Sequence, residues 1–200
     1  MNWFGKAKQT EVNELEFVYR QIEEQKQAAM NFATKHGHAD FYPVVSSTDA
    51  HLRKEQLAWL TDGKGKLNYH LRRPHHSSRV SEPWFIFSVS FDRCGGDGAE
   101  EVATRLVAEG RSLLYVEEVI AWLSPELKKQ REAKKKGEVL PLKLTLSYFP
   151  CLGDKVGNNW PIIVADLDEV TICRHRDPIG ITNREPLILS AAFRHCFLLP

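Results

Sequence analysis

The sequence predicts an α+β fold, with helices at the front of the chain followed by a largely antiparallel sheet of about four strands. Three observations carry this. Residues 9–35 repeat apolar side chains at helical spacing, Trp84 to Phe91 (WFIFSVSF) is aromatic and β-branched, and the last third alternates apolar runs with turns. The chain has 200 residues, 42% apolar, with ten Phe, five Trp and five Tyr, enough for a buried core. We expect one domain over residues 1–200: a helical part at 1–62, a basic loop at 63–82 and a sheet-containing part at 83–200.

In the first helix, Val12, Leu15, Tyr19, Ile22 and Ala29 form the stripe, and Gly37 is placed to end it. Five glutamates between Glu11 and Glu24 make its first half acidic, which suits a helix N-terminus. A second helix is expected at 47–60, where Ser47 or Thr48 can cap and Leu52, Leu57, Trp59 and Leu60 are apolar. After the strand at 84–91, DRCGGDG reads as a tight loop and AEEVATRLVAEG as a helix ending at Gly110. Another helix is expected from about Leu114 to Lys136, bent or restarted at Ser124-Pro125. The run from Val139, VLPLKLTLSYF, alternates Leu140, Leu142, Leu144 and Leu146 with Pro141, Lys143, Thr145 and Ser147, as a strand at 139–149 wetted on one face would. Strands at 160–173 and 187–198 complete the expected sheet.

The charge balance is 27 Lys+Arg against 26 Asp+Glu, so coating of nucleic acid by bulk charge is excluded and any such contact must be local. One segment concentrates the positive charge: Lys64 to Arg79, KGKLNYHLRRPHHSSR, holds five Lys/Arg, three His and no acid in sixteen residues. Lys64, Lys66, Arg72, Arg73 and Arg79 suit phosphates, while Tyr69, His75 and His76 can stack on bases or add charge. Residues 128–136 form a second basic site of net charge +5, with Lys134 and Lys135 as its expected contacts. The bland readings are an exposed linker and a solvated helix end whose lysines favour the C-terminal dipole.

Cys94, Cys151, Cys173 and Cys196 are far apart with no C-x-x-C pair, which predicts reduced thiols and a cytoplasmic setting. The N-terminus turns polar within five residues, and no apolar run approaches the ~18 residues of a bilayer span. Neither a membrane partner nor a cofactor is expected.

Four short motifs bear on catalysis. His36-Gly37-His38-Ala39-Asp40 resembles the opening of the H-x-H-x-D-H signature of metallo-β-lactamase-type hydrolases, with Phe41 where the last histidine belongs. The resemblance implies a metal site on His36, His38 and Asp40, but it lacks a completing ligand set. Asp166-Leu167-Asp168-Glu169-Val170 looks like the nucleophile motif of haloacid dehalogenase-type phosphatases. Only 32 residues follow Asp168, too few for that domain, so a strand bend or hairpin is the expected role. His75-His76-Ser77-Ser78 supplies half of the paired H-x-S signature of two-histidine phosphoesterases, and no second half exists. Cys94 to Gly98 lies between strand and helix, but Asp97, Glu100 and Glu101 oppose an anion there. The expectation is a non-enzymatic component of a nucleic-acid-associated assembly. An adaptor that binds proteins or a second copy of itself is the alternative, and a metal-dependent hydrolase comes third.

Overall fold

A computed structural model describes residues 3–44, 83–93, 98–140, 142, 144, 146–154, 160–167, 170–175 and 186–197, with side chains of the first helix from Arg20 and of the 170–175 strand to Ile172. The predicted helix at 47–60 and the basic loop at 64–79 lie outside the described residues.

The chain is α+β. Helix α1 (Trp3–His36) is followed by strands β1 (Phe41–Val44) and β2 (Trp84–Arg93), helix α2 (Ala99–Ala108), strand β3 (Ser112–Leu113) and helix α3 (Val116–Lys136). Strands β4 (Ser147–Pro150), β5 (Trp160–Ala165), β6 (Val170–His175) and β7 (Leu187–His195) follow. One sheet has the order β1-β2-β7-β3 and a second the order β4-β5-β6. Every pairing is antiparallel.

The helices stop where the sequence supplies a residue able to take positive φ. Gly37, Gly110 and Gly137 have φ of 70°, 77° and 72°. The amide after each turns back into the last turn, as His38 N–H does to Ala33 O at 2.9 Å. Helix α3 runs unbroken through Pro125, which lies on its exposed side, so the expected restart at that proline does not occur.

Helix α3 is the central element. Val119, Trp122, Leu123 and Leu127 enter a core shared with Val44 and Ile86 of the first sheet and Phe149, Ile163 and Ile172 of the second. Trp122 meets the Phe149 ring edge-on at 5.9 Å. Its first turn is held by Glu118, which is 0% exposed. The Glu118 carboxylate accepts from Tyr115 N–H at 2.9 Å, from Trp84 Nε1 at 3.0 Å, and from Arg194 Nη2 at 2.6 Å with Arg194 Nε on the other oxygen. The guanidinium also donates to Leu113 O and lies 4.6 Å from the Tyr115 ring centre. Burial alone would lower the Arg194 pKa, but hydrogen bonds and charge from Glu118 outweigh it and raise it. Asp154 accepts from Val116 N–H at 2.8 Å and so closes a further orphan amide of α3.

Two sequence expectations are corrected and one strand is new. Among the described residues, the strand expected at 139–149 pairs only at 147–150, and Gln130 of α3 takes up backbone groups of its first half. Gln130 Nε2 donates to Leu142 O at 2.9 Å and its Oε1 accepts from Leu144 N–H at 2.8 Å, so those backbone groups are spent on a side chain. The run 160–173 is a hairpin of β5 and β6 with Asp166 in the connection. Strand β1 went unread: it is short, sits at a sheet edge and carries Pro43, which an edge tolerates.

A kink divides the first sheet. Ser88 has φ of 49°, uncommon for a residue with a Cβ. Phe85 and Phe87, before it, lie under α1 with Ala29 and Ala33, whereas Val89, after it, packs into the α3 core. Three hydrogen bonds hold the turn: Ser88 N–H to Asp40 O at 2.9 Å, Ala39 N–H to Ser88 Oγ at 3.0 Å, and Arg111 Nη2 to Ser88 O at 2.9 Å. A strand whose alternation reverses midway can serve two cores at once.

Candidate functional site

The predicted residues fall in two places and outside the description. Lys64, Lys66, Tyr69, Arg72, Arg73, His75, His76 and Arg79 lie outside the described residues. Lys134 and Lys135 occupy the last turn of α3, exposed together with Lys128, Lys129 and Lys136. Arg131 departs from the pattern. Its Nε donates to Leu167 O at 2.7 Å, so it braces the β5–β6 hairpin. The α3 end therefore offers exposed lysines flanking a structural arginine.

His36 and His38 lie where α1 meets β1, but their rings are 6.4 Å apart and tilted by 27°, beside one another rather than converging on a point. Among the described residues, no three His, Cys, Asp or Glu side chains are grouped to hold a metal ion. Asp40 is engaged elsewhere. Burial first, then the charge and hydrogen bond of Asp40 and the charge of Glu126, raise the Tyr42 phenol above its ordinary 10.0. The described residues thus do not complete the metallohydrolase set.

The shift has a consequence for stability. With the folded pKa raised, the contribution of the neutral phenol is intact below pH 10 and declines as pH rises through the ordinary value towards the folded one. We expect Tyr42→Phe to lose less stability than the parent between about pH 8 and about pH 11, measured by urea unfolding. An identical loss in both proteins would show that Tyr42 does not govern alkaline unfolding.

The sequence reading missed a second feature. Phe193 and His195 of β7 lie on the face of the first sheet that α1 covers, opposite Phe87 and Phe85. Phe32 of α1 meets the His195, Phe193 and His38 rings at centroid distances of 5.1, 5.2 and 5.8 Å, with interplanar angles of 17°, 23° and 20°. The His38–Phe193 and Phe193–His195 pairs are also near parallel, at 17° and 22°. His36 lies 4.3 Å from Phe32. Phe193 is 40% exposed, His36 is exposed, and His38 and His195 are half-buried. No local signal joins these positions, which are some 160 residues apart; only the alternation Phe193-Arg194-His195 hinted that two rings share a face.

Compared with protein families, with curated proteins and with solved structures, the chain matches none. Among the described residues, no helix is long and apolar enough to cross a membrane.

Proposed function

We propose that this protein is a non-enzymatic component of a nucleic-acid-associated assembly that contacts backbone phosphates through its local basic segments. The observation that carries this reading is the acid-free run Lys64–Arg79 in a chain of net charge +1. In a nearly neutral protein, sixteen residues without one acid make a local positive field that draws phosphates and repels other cations. The exposed lysines at the end of α3, Lys134 and Lys135 among them, support it as a second set of phosphate contacts.

Fluorescence anisotropy with short RNA and DNA, from about 50 to about 200 mM salt, tests the reading. Binding is expected to weaken steeply with salt. Replacing Lys64, Lys66, Arg72 and Arg73 together by Ser should flatten that dependence and shift Tm by only about 4 °C or less, since exposed charges change stability little. No binding at low salt, or binding that ignores the four substitutions, defeats the proposal.

A further inference from the structure

We propose that the β5–β6 hairpin is a built-in counter-charge on the basic end of α3, holding that site's grip on phosphates below what its lysines alone would give. This rests on the phosphate-binding reading above and adds how the two basic segments share the binding.

Arg131 sets the geometry. Its Nε donates to Leu167 O at 2.7 Å, so a side chain in the middle of the basic helix end is fixed to the connection between β5 and β6. On a helix, residues three and four apart are neighbours, with Cβ atoms about 5 to 6 Å from one another. Lys128 lies three residues before Arg131, Lys134 three after and Lys135 four after, and all three lysines are exposed. The hairpin is therefore seated against the face of α3 that carries them. Lys129 is not on this face and pairs with Glu126 at 4.0 Å.

The connection is short and fixed at both ends. Ala165 pairs with Val170, and both are buried in the core that α3 enters. Four residues join them, and three are acids: Asp166, Asp168 and Glu169. Asp166 and Asp168 flank Leu167, each one Cα step of about 3.8 Å from the residue whose carbonyl holds Arg131. Charges so arranged act on the flanking lysines inside the screening length, which is about 10 Å at 0.1 M salt. Set against a net charge of +5 over residues 128–136, the three acids leave +2. A phosphate arriving at Lys134 or Lys135 meets this reduced field. The segment 64–79 contains no acid and carries no such restraint within it.

The test compares the full chain with the variant Asp166→Asn, Asp168→Asn, Glu169→Gln by fluorescence anisotropy on a single-stranded oligonucleotide, from about 50 to about 200 mM salt. The neutral hairpin is expected to bind about tenfold more tightly at the lowest salt, and the advantage should shrink as salt screens the repulsion. Lys134→Ser with Lys135→Ser should weaken the parent by about threefold and the neutral-hairpin variant by about thirtyfold, a coupling that traces the gain to these lysines. Thermal melting checks that each variant folds. Where Asp166→Asn lowers Tm, the pair Asp168→Asn, Glu169→Gln takes its place, with a gain of about fourfold expected. If the neutral hairpin binds like the parent, the counter-charge is wrong and the phosphate reading stands. If the gain persists undiminished without the two lysines, the acids act elsewhere and the inference is overturned. If the parent binds no nucleic acid at low salt, the phosphate reading falls and the inference falls with it.

Discussion

Glu118→Ala is expected to destabilise the protein by about 3 kcal/mol or more, a Tm loss on the order of 10 °C at this chain length. The carboxylate is fully buried and holds four donors, from Tyr115, Trp84 and two nitrogens of Arg194. Removing it takes away the guanidinium's hydrogen-bonded counter-charge, leaving only the more distant charge of Asp154, and strands two N–H groups in a part of the fold that water reaches poorly. Breaking a buried pair from one side costs more than the pair contributes, because the stranded partner cannot be resolvated without opening the structure. Arg194→Met should be nearly as damaging, since it strands the acid instead. Arg194 is 27% exposed on its side chain, which sets the expected loss for Glu118→Ala towards the lower end of such cases. Equilibrium unfolding in guanidinium measures it, and a loss below about 1 kcal/mol would mean that water enters and screens the site.

Gly153→Ala should cost about 2 to 4 kcal/mol, an effect out of scale with one methyl group. A Cβ at Gly153 would stand 2.7 Å from Leu113 O and 2.8 Å from both Leu114 C and Leu114 O. All three are backbone atoms, so no rotamer change can relieve the clash. The loop must retreat, taking with it the Gly153 N–H bond to Leu114 O at 3.1 Å and the Asp154 carboxylate that receives Val116 N–H at 2.8 Å. The first turn of α3 would thus lose two of its supports together. Asp154→Ala, which removes the cap without the clash, separates the contributions and should cost only about 1 kcal/mol. If Gly153→Ala unfolds like the parent, the loop is free to shift and the close approach carries no cost.

The sequence by itself determined the α+β class and the places where local chemistry dominates. Periodicity and a terminal glycine mark α1 and α2, and the β-branched and aromatic run Trp84–Phe91 marks β2, because a residue's own φ preference or the spacing of its neighbours is enough there. It also placed Asp166 at a strand bend or hairpin rather than in a catalytic loop, although it read 160–173 as a single strand. Tertiary structure decided where long-range partners compete with local preference. Gln130 captures the backbone of Leu142 and Leu144, so among the described residues the alternating leucine run pairs only from Ser147. Ser88 gives up ordinary strand geometry because Asp40, Ala39 and Arg111 all bind it, and the pleat of β2 reverses there. The ring array has the same origin. Phe32, His38, Phe193 and His195 come together only because β7 pairs with β2 while α1 covers the same face, and no reading of nearest neighbours along the chain can anticipate a contact made by two elements at opposite ends of it.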